Sequence, residues 1–138
     1  VYISAESGPM TDVDLEQILT AARRNNRAIG VTGMLLYDEG SFIQALEGDE
    51  DTVEALFERI ELDPRHHDAN VLMRGCAERR DFPDWSMGFH DTSVGVLPGQ
   101  NDFLRRGFSR DAMDLTVVHK AFEFFREGHW RQADVSRF

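Results

Sequence analysis

Ile29-Gly30-Val31-Thr32-Gly33-Met34-Leu35-Leu36-Tyr37, then Asp38-Glu39-Gly40, then Ser41-Phe42-Ile43-Gln44-Ala45-Leu46-Glu47 with Gly48 behind it, is the stretch that decides the fold. The first run is largely apolar and β-branched. The next three residues are turn formers, and the last run again suits a strand. Residues 29–48 therefore read as a β-hairpin. Upstream, Thr11 is a good N-cap, and Asp12 and Asp14 fall in a first turn where the helix dipole favours acids. Leu15, Ile18, Leu19 and Ala22 recur at helical spacing, and Arg23-Arg24 suit a last turn. This predicts a helix over 12–26, with Asn25-Asn26 closing it. Residues 1–4 read as a short strand before it, and Ser7-Gly8-Pro9 as loop. Downstream, Val53, Leu56, Phe57 and Ile60 predict a second helix over 51–61, stopped at Asp63-Pro64. Residues 69–77 read as a fourth strand. Residues 87–90 read as a fifth, after the turn Phe82-Pro83-Asp84. The order βαββαββ predicts an α+β, ferredoxin-like sandwich with two helices on one sheet face.

The remainder differs in character. Pro98-Gly99-Gln100-Asn101 looks like a linker. A long helix is expected over 111–127, with Leu115, Val118, Phe122 and Phe125 on one stripe. So broad an aromatic stripe should cover the free face of the sheet, a partner, or both. The expected division is a binding domain over 1–91 and a C-terminal helical extension over 92–138.

With 138 residues the chain suits a single core. A net charge of −10 repels phosphate backbones and anionic membrane surfaces, which argues against nucleic-acid and membrane partners. Cys76 is the single cysteine, so no intrachain disulfide can form, which fits the cytoplasm. No apolar run reaches the roughly 18 residues of a membrane span, and no charged-then-apolar leader precedes the first strand. That strand begins at Val1, so a few upstream residues are expected to be missing. His90, His119 and His129 lack metal-ligand spacing, so no metal is expected.

Three polar residues do not fit a plain core. Strand alternation puts Phe42, Gln44 and Leu46 on one face, and Ile43, Ala45 and Glu47 on the other. Gln44 thus sits mid-strand among apolar neighbours, where a buried amide must find partners. Tyr2 is likewise mid-strand, between Val1 and Ile3, and Asn25-Asn26 lies just before the hairpin. Taken singly, Tyr2 reads as a core tyrosine and Asn26 as a helix C-cap, while Gln44, uncommon mid-strand, suits a solvated or a buried position equally. Taken together, they place donors and acceptors in one apolar cleft.

At these residues the chain resembles the BLUF domain, the family of blue-light sensors using FAD. The matching stretches are Tyr2-Ile3-Ser4, Arg24-Asn25-Asn26-Arg27-Ala28-Ile29-Gly30-Val31-Thr32-Gly33 and Phe42-Ile43-Gln44-Ala45-Leu46-Glu47-Gly48. Asp63-Pro64-Arg65-His66 and Arg79-Arg80-Asp81-Phe82-Pro83-Asp84-Trp85-Ser86-Met87-Gly88 complete the set, in order, over about residues 1–91. The resemblance implies that Tyr2 donates an electron and proton to the photoexcited ring, and that Gln44 lies between tyrosine and ring. It implies that Asn26 bonds the pyrimidine edge, with Asn25 and Phe42 as further contacts. Trp85 and Met87 match last-strand residues whose placement near the glutamine varies among relatives. Arg65 and His66 match positions near the ribityl-phosphate side, although cations after a helix C-terminus are favoured in any case. Glu47 is expected to cap or pair at the surface, and Arg79-Arg80 to form a solvated turn.

The chemistry suits these residue types. A flavin ring is apolar on its faces and hydrogen-bonding along one edge, so an apolar slot rimmed with amides suits it. FMN or riboflavin would fit the same slot. Glutamine is two-faced, accepting on one side and donating on the other, so turning or tautomerising its amide rewrites bonds while atoms barely move. The competing readings are a flavin redox enzyme, for which no GxGxxG phosphate loop is present, and a ferredoxin-like module without flavin. No cyclase or phosphodiesterase domain fits in the 47 residues after Asp91. The expectation is a sensor without enzymatic output, signalling through its C-terminal segment, a homo-oligomer (dimer or larger) or a separate protein effector.

Overall fold

The computed structural model describes residues 1–38 and 40–91. Its elements run β1 (Tyr2–Glu6), α1 (Asp12–Ile29), β2 (Thr32–Asp38), β3 (Ser41–Glu47), α2 (Glu50–Glu61), β4 (His66–Val71) and β5 (Gly88–Asp91). The five strands form one sheet in the order β4-β1-β3-β2-β5. Neighbours are antiparallel except β2 and β5, which run parallel. This is the expected ferredoxin-like α+β sandwich. The expected helix over 111–127, the linker at 98–101 and the extension over 92–138 lie outside the described residues.

The termini of α1 follow local chemistry. Thr11 accepts from the Asp14 amide while the Asp14 carboxylate accepts from Thr11, a complete capping box. The expected end at residue 26 is corrected to Ile29. Asn26 is interior to the helix and buried, and Gly30, in the left-handed region at φ 70°, is the true C-cap. In sequence, a helix-terminating asparagine and one whose amide faces inward look alike. The strand expected from residue 29 accordingly starts at Thr32, three residues later. The second helix falls within one residue of its expected span, and the hairpin's second strand is Ser41–Glu47 as expected.

The strand expected over 69–77 is corrected to His66–Val71. Its ladder is set by β1, running from His66 opposite Glu6 to Val71 opposite Tyr2. A register shift in that ladder coincides with Asp68 at φ 55°, and this polar, irregular edge hid the strand's beginning. The first and last strands shift by smaller amounts, to Tyr2–Glu6 and Gly88–Asp91.

Strand register places the functional face. Tyr2 stands directly opposite Gln44, and Gln44 opposite Leu35 on its other side. Leu15 and Leu19 of α1 pack with Leu35, Phe42, Met87 and Phe89 in one buried cluster. Each such buried side chain contributes about 1.5–3 kcal/mol. Phe57 of α2 packs its ring 5.0 Å from that of Tyr2. Both helices therefore cover the face that carries Gln44. On the opposite face Ile3, Met34, Leu36, Ile43 and Ala45 are also buried.

The β2–β3 pairing is unusually close at Gly33. A Cβ there would lie 2.0 Å from the Ala45 carbonyl oxygen. Gly33→Ala is expected to destabilise the protein by at least about 1–3 kcal/mol, because backbone must move to admit the methyl group. Urea unfolding measures this, and an unchanged midpoint would contradict it.

Candidate functional site

A cleft of about 280 Å³ opens between α1 and α2, with the sheet as its floor. Ile18, Ala21, Ala22, Asn25 and Asn26 line it from α1, and Leu56, Arg59 and Ile60 from α2. Tyr2, Ser4, Leu35, Phe42 and Gln44 form the floor, and Asp63, Arg65 and His66 lie at the end of α2. The alanines of α1 matter because small side chains leave room where leucines would fill it.

The floor holds an ordered chain of polar contacts. The Tyr2 hydroxyl donates to Gln44 Oε1 at 2.5 Å, both residues being buried. On its other side Gln44 Nε2 donates to Met87 Sδ at 3.4 Å. The Gln44 amide is thus held by a phenol at its oxygen and a thioether at its nitrogen. A thioether is a weak acceptor, so the second contact is the looser one. Burial pushes the Tyr2 phenol well above its ordinary pKa, and the charge of Asp63 acts in the same direction. The phenol therefore stays neutral and donating across the physiological range.

Asn26 donates from Nδ2 to the Ser86 carbonyl at 2.8 Å. Asn25, one residue earlier, is exposed at the cleft rim. Phe42 is buried beneath the cleft, 5.1 Å from the ring of Tyr37. Arg65 binds Asp63 through its guanidinium, which lowers the Asp63 pKa. His66 Nε2 lies 2.5 Å from the Ile60 carbonyl. Both residues reach the cleft, and each already has a partner within the chain.

Trp85 and Met87 are separated by the structure. Met87 is buried against Gln44, whereas Trp85 stacks on Phe82 with centroids 5.8 Å apart; neither is among the residues that line the cleft. Glu47 accepts from the amides of Asp81 and Phe82 at 2.7 and 2.9 Å, so it caps the turn preceding that segment. Arg80, expected in a solvated turn, is exposed and donates to Thr32 Oγ1.

Four residues at the site were not singled out from sequence. Ser4 lies two residues from Tyr2 on the same strand face, so alternation would have found it. Arg23 lies three residues before Asn26, on the same helix face, and donates from Nε to the Met87 carbonyl at 2.9 Å. Arg59 carries no such signal, and Asp63 reads from sequence only as a helix stop within the stretch that matches the family.

Whether a flavin suits the cleft can be tested on Ser4. Its Oγ is buried on the floor of the cleft with no hydrogen-bond partner, a costly state for a polar atom. A planar ring with polar atoms on one edge would meet apolar side chains on its faces and find Ser4, Asn26 and Gln44 at its rim. The residues present fit the group.

Fold and cleft together define the class, a ligand-binding domain built on a ferredoxin-like sandwich. The family described as sensors of blue light using FAD matches residues 1–88, and the chain belongs to this BLUF family. Its cofactor is accordingly FAD. Among curated relatives it is 38% identical over 87 residues to photoactivated adenylate cyclase subunit beta of Euglena longa, covering 62% of this chain and 10% of that protein. It is 32% identical over 114 residues to the blue light- and temperature-regulated antirepressor BluF of Escherichia coli, covering 81% and 28%. The chain thus spans about a tenth to a quarter of these relatives' length. Among solved structures, the dark state of the BLUF protein BlrB superposes with a TM-score of 0.78 at 27% identity, covering 91% of this chain and 92% of that one.

Both tyrosines have phenols pushed above their ordinary range, Tyr37 by burial and by its bond to Glu6. In the unfolded chain they ionise near pH ~10. Their contribution to stability is therefore complete below about pH 10 and is lost as pH rises beyond it, since the unfolded chain then binds fewer protons. The folded protein should show no tyrosinate absorption at about pH 10.5, and its urea midpoint should fall above about pH 10. Tyrosinate appearing in the folded protein at that pH would contradict the assignment.

Proposed function

We propose that this chain converts blue light into a new hydrogen-bond pattern at Gln44, and passes that pattern to Met87 and the stretch that follows it. The observation that carries the reading is the buried series Tyr2–Gln44–Met87, in which one amide bridges a phenol and a thioether. Bound flavin supplies light absorption and a strong photo-oxidant. Tyr2 is the side chain placed to lose an electron, and its proton has one acceptor, Gln44 Oε1. Electron and proton return to Tyr2, so the residues end chemically unchanged apart from the amide, which is turned or tautomerised. The turned amide would present oxygen to Met87 and nitrogen to Tyr2. Each exchanged bond is worth about 0.5–1.5 kcal/mol, enough to shift a local equilibrium several-fold.

Asn25, Asn26, Ser4 and Phe42 are proposed to hold the ring, and Arg59, Arg65 and His66 the ribityl-phosphate end. Contacts at the ring alone would also admit FMN or riboflavin. Trp85 is proposed to report the switch rather than to touch the ring. Residues 1–91 would form the sensing domain, and residues 92–138 the segment that hands the signal to a second copy of the chain or to a separate effector protein. The sensing domain itself needs no substrate, which favours a photoreceptor without catalysis on this stretch. Its curated relatives pair such a domain with cyclase or antirepressor function. The acidic surface and exposed, unpaired Cys76 favour the cytoplasm over a membrane or an oxidising compartment. Neither described helix is long and apolar enough to cross a membrane.

The test is an absorption spectrum before and after blue light. Wild type should redden slightly and revert slowly in the dark. Gln44→Leu should keep flavin and lose the shift, since leucine neither donates nor accepts. Tyr2→Phe should do the same for want of a proton. A full, reversible shift in either variant would overturn the assigned roles.

A further inference from the structure

Met87 is held twice. Its sulfur accepts from Gln44 Nε2 at 3.4 Å, and its backbone carbonyl accepts from Arg23 Nε at 2.9 Å. The residue before it is tied to the same helix, through Asn26 Nδ2 and the Ser86 carbonyl at 2.8 Å. The two ties differ in strength. A thioether accepts weakly, so the Gln44 contact cannot by itself fix where Met87 sits. A guanidinium bond to a carbonyl is charge-assisted, and that of Arg23 is partly withdrawn from water, as the lowering of its pKa by burial indicates.

We propose that Arg23 is a positioning residue, which by gripping the Met87 carbonyl keeps the Met87 sulfur against the Gln44 amide and so sets how quickly the lit state reverts. The inference rests on Gln44 being the switch. When the amide turns, Met87 faces an oxygen in place of an N–H donor and its side-chain bond is lost. The Arg23 tie involves backbone and survives the turn. It keeps Met87 beside Gln44, so the dark bond reforms once the amide returns. Without that tie Met87 can leave, and the return path lengthens.

The experiment follows dark recovery in the flavin-loaded full chain. Arg23→Met, which keeps length and removes the donor, should slow recovery about two- to tenfold, the effect of one hydrogen bond. Arg23→Lys restores a cationic donor and should recover within about twofold of wild type. In a Met87→Ala background the same Arg23→Met change should alter recovery little, because the thioether that the Arg23 bond positions is gone. A second readout needs no flavin. In apo protein the Met87 ε-methyl resonance should move in Arg23→Met and stay in place in Arg23→Lys. Should Arg23→Met fail to fold, Arg23→Gln, too short to reach the carbonyl, takes its place with the same slowing expected. Unchanged or faster recovery, or a slowing that persists without the Met87 side chain, overturns the inference. If wild type shows no shift, or Gln44→Leu keeps it, the switch reading itself fails. A normal wild-type shift with unaltered recovery in Arg23→Met removes only the role of Arg23.

Discussion

The hydrogen bond from the Tyr2 hydroxyl to Gln44 Oε1 is the contact on which the rest depends. It exists because β1 and β3 pair antiparallel with these two residues directly opposed. A slip of one residue would send one of the two to the other sheet face, so the register that builds the sandwich also builds the pair. The bond also needs to be dry. With both residues about 6% exposed, water does not compete for the phenol or the amide, and the desolvated phenol keeps its proton. α1 and α2 supply that dryness by covering the sheet face that carries the pair.

The pair connects outward through a segment with many anchors. Glu47, three residues along β3 from Gln44, caps the amides of Asp81 and Phe82. The Gly33 amide of β2 donates to the Trp85 carbonyl. Asn26 and Arg23 hold the carbonyls of Ser86 and Met87. β5 then begins at Gly88, in parallel register with β2. The one side-chain contact in this series that depends on how the Gln44 amide is turned is that to Met87. A small change there acts on a segment otherwise held by hydrogen bonds to its main chain, which favours two discrete arrangements over gradual drift.

The fold was legible because its signals are local. The N-cap at Thr11, the turn before Ser41 and the apolar run of 41–47 each report the backbone nearby. Gln44 and Tyr2 stood out for a related reason, since a polar residue at an apolar position of a strand asks for a partner. What stayed hidden depends on contacts distant in sequence. Asn26 read as a terminator because its reason for facing inward, the Ser86 carbonyl, lies 60 residues away. The start of β4 was missed because that edge strand is polar and irregular. Arg23 looked like a last-turn cation until its bond to Met87, 64 residues on, gave it another role. Which of Trp85 and Met87 meets Gln44 is decided by how the segment crosses the sheet, and strand alternation alone does not determine that.

The most direct measurement is the side-chain amide resonance pair of Gln44, in flavin-loaded protein labelled with ¹⁵N at glutamine side chains and recorded in the dark and under blue light. The expected result is that this pair moves on illumination and returns at the same rate as the absorption spectrum. An absorption shift that comes and goes while the Gln44 pair stays in place would contradict the central claim.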